Sequence, residues 1–468
     1  MNLNKLTIRL AKEGLTKKEF SSVELTNACL NQIEAVNPVL NAYITICKDK
    51  AIKAAKDADE KIKNKENLPL LGVPIALKDL FLTEGIRTTA SVKVMDKYIP
   101  QYDGTVVKKL KDAGGIILGK LNCDGWAHGS SGENSDYGPA KNPWNTQYTP
   151  GGSSSGSAVS VAADMAIAST GTDTGGSIRL PAGFCSVVGL KPTYGRVSRY
   201  GIVSMSSSLD AIGHFTKTVE DSALFLNVTA GKDSYDSTTP EKPVPDYSGN
   251  INKSLKGIKI GVPKEYFIDG VDKQIKEKTL KAISFYETLG AEIVNISLPH
   301  TDYAIAAYYI IQPAEVSSNL ARYDGIRFGN NRSFFEKEAK RRIMLGTFTL
   351  SAGYYDAYYK KAMRVRTLIK QDYENAFKKV DAIITPISPS LPWKLGERIN
   401  DPLKMYLSDI FTVTANLAGI PGLSIPIGLI GGLPVGMQIL GPQFSEELLF
   451  RLGHQYEIAN QIKEKPQL

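Results

Sequence analysis

A lysine at the end of an apolar run is the first candidate for chemistry in this sequence. Residues 70–77 are Leu-Leu-Gly-Val-Pro-Ile-Ala-Leu, and Lys78 and Asp79 follow directly. Lysine is rarely buried without a partner, but Asp79 is a poor partner because neighbours on a strand point to opposite faces. Burial disfavours the charged form of an amine and lowers its pKa. Lys78 is therefore a candidate for a neutral amine that acts as a general base.

Two segments rich in glycine and serine supply candidate hydroxyl groups. They are residues 150–157, Pro-Gly-Gly-Ser-Ser-Ser-Gly-Ser, and residues 171–177, Gly-Thr-Asp-Thr-Gly-Gly-Ser. Such runs are often flexible linkers, but apolar flanks here predict a backbone held inside the fold, close to another group. Gly175 and Gly176 allow successive N–H groups to point into one concavity, an anion-binding nest. Ser177, at the end of this nest, could attack a carbonyl whose oxygen enters it.

Two motifs that indicate other chemistry fail on their context. Residues 114–120 fit GxxxxGK, but Leu121 occupies the position where a phosphate loop needs Ser or Thr, and Ile-Ile-Leu inside the motif indicates a strand. Residues 152–156 fit GxSxG with Ser154 at the centre. A nucleophile elbow needs a preceding strand, whereas residues 142–150 contain two prolines and two asparagines. Neither a phosphate loop nor a Ser-His-Asp triad is predicted.

Metal and disulfide chemistry have little support in the sequence. The cysteines show no CxxC pair and are expected to be reduced thiols, and the histidines form no HExxH motif. These residues are Cys29, Cys47, Cys123, Cys185, His128, His214, His300 and His454. No metal site is predicted.

The composition indicates a globular, cytoplasmic protein without a membrane segment. Of 468 residues, 42% are hydrophobic and 22% charged, and the formal net charge is +8. A basic balance can indicate nucleic-acid binding, but the tightest basic cluster is only residues 340–342, so a solvated basic surface is expected. The N-terminus lacks the apolar core of a signal peptide, and no apolar run reaches the ~18 residues of a membrane span.

The pattern of apolar runs and helical segments predicts an α/β layered fold. Buried strands are expected at residues 73–77, 116–118, 187–190, 258–262, 293–298, 382–384, 423–427 and 435–440. Helices are expected at 52–62, 354–380 and 448–462, and Ser21 with Glu24 forms a capping box that opens another. The polar, proline-containing stretch 232–256 is expected to be a surface connection.

Taken together, the lysine and the two Gly/Ser segments resemble the amidase signature family. Ser153 and Ser177 are 24 residues apart, and Lys78 and Ser177 are 99 apart, which is the spacing of the family's Ser-Ser-Lys triad. The resemblance runs nearly end to end and is densest over residues 70–221. It implies one amidase domain over residues 1–468, with the signature core at about 60–222. The implied fold is a large, mixed, twisted β-sheet between layers of α-helices.

Within the family, the chain resembles the A subunits of tRNA-dependent amidotransferases. The stretches that carry this likeness are residues 129–135, 189–201, 317–325 and 345–348. The resemblance implies Ser177 as nucleophile, Lys78 as base and then acid, and Ser153 as the bridge between them, after a cis peptide bond at Gly152. It implies an oxyanion hole formed by four consecutive residues and a glutamine pocket formed by residues far apart in the sequence. The hole would use the N–H groups of Thr174, Gly175, Gly176 and Ser177, and the pocket would be formed by Tyr308, Arg342 and Asp409.

The same resemblance implies the wider reaction. Free glutamine would be hydrolysed in this chain, which needs no cofactor of its own, and the ammonia would pass to a B subunit. That subunit would use ATP and magnesium to amidate misacylated tRNA, Glu-tRNA(Gln) and possibly Asp-tRNA(Asn). A small C subunit would complete a heterotrimer, and tRNA would be bound mainly through the B subunit.

Several positions depart from the family pattern. Ser155 and Ser186 stand where many relatives have glycine, and Cys123, Trp126 and His128 replace Met, Phe and Met. The stretch from 329 to 336 is shorter than in relatives, which leaves Arg341 as an alternative to Arg342.

Two other functions remain open from the sequence. One is a stand-alone amidase for aryl or aliphatic amides, and the other is a non-catalytic nucleic-acid-binding module.

Overall fold

The computed structural model describes residues 2–326, 329–462 and 464–468. Within these ranges the chain forms fourteen α-helices and eleven β-strands. The helices are α1 (Ile8–Lys17), α2 (Ser22–Leu40), α3 (Lys48–Lys63), α4 (Thr105–Asp112), α5 (Ser155–Ala162), α6 (Arg179–Cys185), α7 (Val219–Thr229), α8 (Lys273–Thr288), α9 (Ala304–Asn319), α10 (Lys337–Thr349), α11 (Lys360–Ala376), α12 (Pro402–Tyr406), α13 (Val413–Ala418) and α14 (Glu446–Ala459). The strands are β1 (Tyr43–Ile46), β2 (Pro74–Lys78), β3 (Ile116–Leu121), β4 (Ala168–Asp173), β5 (Val188–Lys191), β6 (Ala211–Thr216), β7 (Lys259–Pro263), β8 (Glu292–Ile296), β9 (Ala382–Pro386), β10 (Gly422–Ile430) and β11 (Leu433–Leu440).

All eleven strands join one mixed sheet. Their order is β1-β3-β2-β4-β6-β5-β10-β11-β9-β7-β8. The pairs β2/β3, β2/β4, β7/β8 and β7/β9 are parallel, and the other neighbours are antiparallel. Parallel strands are buried on both faces and therefore need helices on both.

The side chains of single strands divide between two hydrophobic cores, which shows that helices cover both faces of the sheet. On β9, Ile383 packs in one core and Ile384 in the other, as successive strand residues point to opposite faces. The first core includes Leu25 of α2 and Phe450 of α14, and the second includes Ile311 of α9. The predicted α/β sandwich is confirmed.

Most predicted elements are present, with boundaries moved by a few residues. Each of the eight predicted strands corresponds to an observed one, and the capping box of Ser21 and Glu24 is formed at the start of α2. The rejected phosphate-loop motif contains β3, so it is a strand as expected. The helix predicted at 354–380 is instead a π-helical turn, Tyr355–Tyr359, followed by α11. Strands β1, β4 and β6 were not predicted.

The sheet brings the two halves of the candidate site together. Strands β2 and β4 are parallel neighbours, so Lys78 at the end of β2 and Asp173 at the end of β4 lie at the same edge. The backbone N–H of Lys78 also donates to Thr170 Oγ1 of β4 at 3.0 Å. The carboxyl ends of parallel strands are the usual position of sites in such sheets. None of the helices in the described ranges has the length and apolarity needed to cross a membrane.

Candidate active site

The amine of Lys78 is fully buried among hydroxyl groups. Its Nζ lies 2.9 Å from Ser153 Oγ, 2.9 Å from Ser154 Oγ and 2.8 Å from Thr172 Oγ1. An ammonium has three donors and no acceptor, so these three oxygens use its full hydrogen-bonding capacity. Among the described residues, no carboxylate forms an ion pair with Lys78. Asp79 instead lies 3.6 Å from Lys120, which agrees with the expectation that it is not the partner of Lys78.

Burial makes Lys78 much less basic than an exposed lysine. Desolvation lowers the pKa of Lys78 to about 8, although the charges of Cys123, Asp124, Asp173 and Asp210 partly oppose this effect. At this pKa, about a tenth of the amine is neutral at pH 7. The structure thus provides an amine that can exchange protons near neutral pH, with Ser153 in direct contact.

A cis peptide bond precedes Ser153, as expected from the resemblance. The carbonyl of Ser153 accepts a hydrogen bond from Asp124 N–H at 3.1 Å. The Asp124 carboxylate in turn accepts from Gly132 N–H at 3.0 Å and Asn134 N–H at 2.9 Å. Burial raises the pKa of Asp124 to about 7. Asp124 therefore holds the backbone at Ser153 through its own N–H and the loop of residues 129–135 through its buried carboxyl group.

The turn after β4 contains the four N–H groups that are predicted to form the nest. Within the part of the chain that the structure describes, the N–H groups of Thr174, Gly175 and Ser177 have no hydrogen-bond partner. The N–H of Gly176 donates to Asp173 Oδ1 at 2.9 Å. The N–H of Gly176 is therefore engaged by the carboxylate that shapes the turn. The oxyanion hole of Thr174, Gly175, Gly176 and Ser177 stays a prediction.

Asp173 fixes the turn against the rest of the fold. Its carboxylate accepts from Arg179 Nε and Nη2, both at 3.1 Å, and from Asn416 Nδ2 at 2.9 Å. Burial opposes ionisation, but the charge and hydrogen bonds of Arg179 lower the pKa of Asp173 to about 2. Asp173 is therefore ionised at neutral pH, and it orients the start of α6 and the N–H of Gly176 before it.

Ser177 is linked through its backbone to Ser154, the residue that follows Ser153. Its carbonyl accepts a hydrogen bond from Ser154 N–H at 3.2 Å, and the residue is 8% exposed. No hydrogen bond involves the Ser177 hydroxyl in the described residues, so its oxygen is not bonded to that of Ser153. The structure brings Lys78 and Ser153 into direct contact and places Ser177 beside them, with its hydroxyl free.

The two candidate arginines are neighbours on α10, but their side chains point to different surroundings. The side chain of Arg341 is 42% exposed and that of Arg342 is 4% exposed. Arg342 donates to Glu338 Oε1 and Gln312 Oε1, each at 2.8 Å, and its guanidinium carbon lies 5.3 Å from the ring centre of Tyr309. Only Arg342 is thus buried in the interior.

Tyr309 contacts Arg342 and links it to Asp409 and to Tyr308, which lies against the turn of residues 174–177. Asp409 accepts from Ser130 Oγ at 2.7 Å and from Tyr309 Oη at 3.1 Å, and burial raises its pKa to about 6. Tyr308 packs on the nest so closely that a Cβ atom at Gly175 would lie 2.7 Å from its ring. The predicted pocket residues therefore lie in one continuous contact network with residues 174–177.

A comparison with protein families accounts for this arrangement. The sequence profile described as Amidase matches residues 24–450. The chain belongs to the amidase family. The resemblance seen in the sequence is confirmed, and this amidase is an enzyme with amidase chemistry.

Similar proteins cover the whole length of this amidase. It is 54% identical to the A subunit of the glutamyl-tRNA(Gln) amidotransferase of Geobacter metallireducens over 98% of each chain. The crystal structure of the glutamyl-tRNA(Gln) amidotransferase A subunit from Thermotoga maritima has a TM-score of 0.84 and 41% identity, covering 100% of this chain and 97% of that one. The structure of 6-aminohexanoate cyclic dimer hydrolase with its substrate has a TM-score of 0.90 and 26% identity, covering 99% of both chains.

Sequence reasoning missed several residues that hold the site of this amidase. Ser154 and Thr172 bind Lys78, and Thr412 Oγ1 donates to the carbonyl of Gly175 at 2.6 Å. Ser154 and Thr172 lie inside the two Gly/Ser segments, so that segment composition was a signal for them. Thr412 and Gln312 carry no signal, because only the fold brings them to the site.

The described residues of this amidase include no cluster of side chains that could bind a metal ion. No set of three or more His, Cys, Asp or Glu side chains in those ranges is placed to hold a metal ion.

Proposed function

We propose that this amidase is the glutamine-hydrolysing component of a tRNA-dependent amidotransferase. The observation that carries the proposal is the buried pair Arg342 and Asp409, joined to the nest through Tyr308 and Tyr309. A cation and an anion that contact the same tyrosine match the carboxylate and the ammonium of an α-amino acid. The similar chains are named as A subunits of glutamyl-tRNA(Gln) amidotransferases, which supports glutamine as that amino acid.

The proposed reaction begins with the neutral amine of Lys78. Ser154 Oγ donates to the carbonyl of Thr172 at 3.1 Å, so it can only accept from Lys78. This leaves the lone pair of the amine available to the hydroxyl of Ser153. Lys78 takes the proton of Ser153, which takes that of Ser177, and the oxygen of Ser177 attacks the side-chain carbonyl carbon of glutamine.

The nest and the same relay complete the cycle in this proposal. The N–H groups of Thr174, Gly175 and Ser177 stabilise the oxyanion, and one such donor contributes about 3 kcal/mol in known enzymes. The C–N bond breaks as Ser153 returns a proton to the nitrogen, and ammonia leaves. Water then attacks the acyl group on Ser177 and releases glutamate, with Lys78 and Ser153 again moving the proton.

Glutamine is held at both ends in this proposal. Arg342 uses Nε and Nη1 for Glu338 and Gln312, and no hydrogen bond among the described residues uses its Nη2. That group is proposed to bind the substrate carboxylate. Asp409 binds the ammonium, whose charge favours the ionised form of this carboxyl group.

The wider assembly is part of the same proposal. The ammonia passes to a B subunit, which binds ATP and magnesium and amidates Glu-tRNA(Gln) and possibly Asp-tRNA(Asn). A C subunit completes the heterotrimer, and misacylated tRNA is held mainly by the B subunit. Residues 1–468 form one amidase domain, and the enzyme acts in the cytoplasm.

A comparison of two substrates tests the proposal. The purified enzyme is expected to hydrolyse glutamine in preference to benzamide, and Arg342→Ala is expected to raise KM for glutamine by about 100-fold, since a buried charge-assisted contact is lost. Arg341→Ala is the matched control and should leave KM nearly unchanged. Preference for benzamide, with Arg342→Ala harmless, would identify a stand-alone amidase instead. Full function after Ser177→Ala would exclude catalysis and favour a nucleic-acid-binding module.

A further inference from the structure

Asp124 is a buried acidic residue that contacts both the proposed proton relay and the loop of residues 129–135. Its side chain has no exposure to solvent. Two glycines enclose the carboxyl group, because a Cβ atom at Gly129 would collide with its carbon and one at Gly152 would collide with its Oδ2. The carboxyl group therefore has little freedom to move.

The carboxyl group of Asp124 binds backbone N–H groups and forms no ion pair within the described ranges. Its Oδ1 accepts from Asn134 N–H at 2.9 Å, and its Oδ2 accepts from Gly132 N–H at 3.0 Å. Two ionisable groups act on its charge: Glu133 opposes ionisation and Lys78 favours it. Burying a carboxylate without a cation in contact destabilises a fold, so stability alone explains this residue poorly. An asparagine could not serve both N–H groups, because its amide would direct a donor at one of them.

The loop that Asp124 holds is bonded to both halves of the proposed site. Ser130 Oγ donates to Asp409 at 2.7 Å, and the Ser130 carbonyl accepts from Gly152 N–H at 2.9 Å. The N–H of Asp124 donates to the carbonyl of Ser153 at 3.1 Å. A displacement of Asp124 would therefore reach the proposed ammonium ligand and the proposed proton bridge together.

We propose that Asp124 is a positioning residue for amide hydrolysis, which holds Ser153 in the proton relay and Ser130 against Asp409 as one unit. Asp124 acts through these residues and does not touch the reacting atoms. Misplacing a reacting group by 1 Å costs about 100-fold in rate, so the relay depends on this support. The inference rests on the proposed function, which assigns the relay and the ammonium ligand.

The charge of Asp124 also acts on the base of the relay. The anion favours the protonated form of Lys78 and raises its pKa, against the effect of burial. The other groups that raise the pKa of Lys78 are Cys123, Asp173 and Asp210. Loss of the charge at position 124 is therefore expected to make the amine of Lys78 neutral at lower pH.

The test compares Asp124→Asn with wild type in the full-length chain, purified with any subunits that accompany it. The fold should accept a neutral side chain, because burial already raises the pKa of Asp124 to about 7, and circular dichroism checks this. We expect kcat for glutamine to fall by about 100-fold as Ser153 is displaced, and KM to rise by ~10-fold as Ser130 is displaced. The rise of kcat/KM with pH, which Lys78 governs, should move to lower pH by about 0.3 unit or more.

Two further variants separate the parts of this effect. Ser130→Ala removes only the contact with Asp409, so it should raise KM by ~10-fold, keep kcat within about 2-fold and leave the pH dependence unchanged. Asp136→Asn is the matched control. Asp136 follows the loop in the sequence and accepts from Lys93 N–H at 2.8 Å, outside the site, so this variant should keep wild-type kcat, KM and pH dependence.

Gly129→Ala displaces the carboxyl group of Asp124 but keeps its charge. The added methyl group would collide with the carboxyl carbon. We therefore expect kcat to fall and KM to rise, while the pH dependence stays close to that of wild type. This variant decides the question if Asp124→Asn does not fold.

Four results would overturn the proposal. The first is a folded Asp124→Asn enzyme with wild-type kcat and KM, and the second is a less active one whose pH dependence has not moved, which indicates general damage to the structure. The third is a Gly129→Ala enzyme with wild-type kcat and KM, and the fourth is failure of both variants to fold, which assigns Asp124 to stability. If wild type hydrolyses an aryl amide but not glutamine, the proposed function fails separately, and kcat and its pH dependence with the aryl amide still decide the role of Asp124.

Discussion

The burial of Lys78 determines how readily its amine releases a proton. Because the base must be neutral and burial lowers the pKa of Lys78 to about 8, kcat/KM for glutamine is expected to rise with pH and level off above 8. The measurement is a pH–rate profile from about pH 6 to 9.5. A profile that is flat between pH 7 and 9 would contradict a role for this amine as base.

Thr172 offers a second test on the same amine. Its hydroxyl accepts from Lys78 Nζ at 2.8 Å and so favours the charged form. Thr172→Val removes this oxygen at nearly constant volume, and the rise in kcat/KM is expected to move to lower pH by several tenths of a unit or more. Ser157→Ala, which removes a buried hydroxyl that does not contact Lys78, is the control. An unmoved profile in Thr172→Val would show that the amine does not sense this oxygen.

For single residues, the sequence shows which residue types are unusual at their positions. It does not show which residues contact them in the folded chain. Lys78 was identifiable because a lysine interrupts an apolar pattern, and Ser177 because it ends a glycine pair. The engagement of Gly176 with Asp173 could not be foreseen, because a nest motif does not specify which N–H group a nearby carboxylate will take.

The strands and helices that position these residues were not equally predictable from the sequence. Strand β2 is apolar and was predicted, whereas β4 consists of Ala-Ser-Thr-Gly-Thr-Asp and was not. It is fully buried between β2 and β6, so small polar side chains that bond within the site replace the apolar residues by which buried strands are recognised. The choice between Arg341 and Arg342 likewise depends on the rotation of α10, which the sequence alone left open.

The turn after β4 provides a prediction at this scale. A Cβ atom at Gly175 would lie 2.7 Å from the ring of Tyr308, so Gly175→Ala is expected to displace the ring or the N–H groups of the turn. We expect kcat to fall by about 100-fold or more, as after loss of an oxyanion donor. Gly249→Ala is the control, because its nearest neighbour would be Asp246 Oδ2 at 3.3 Å in the surface connection. Normal kcat in Gly175→Ala would argue against tight packing on the nest.

In the whole molecule, distant parts of the chain meet at one edge of the sheet. The proposed substrate pocket combines Ser130, Tyr308, Arg342 and Asp409, which come from four separate segments. Periodicity and turn residues predicted most strands, but they contain no information on which strands become neighbours. The resemblance to a family supplied that order, and the sheet from β1 to β8 confirms the implied fold.

The ionisation of Asp409 is expected to make KM for glutamine depend on pH. Burial raises its pKa to about 6, and only the ionised carboxylate attracts the ammonium of glutamine. KM is therefore expected to rise as the pH falls below about 6, on a limb separate from the one near pH 8 that reports Lys78. Asp409→Asn should raise KM at all pH values and remove the acidic limb, while the limb near pH 8 persists. Asp356→Asn, at an exposed acidic position, should keep both limbs. If Asp409→Asn kept the acidic limb, the carboxyl group that senses glutamine would have to be another one, and the proposed clamp would lose its anionic end.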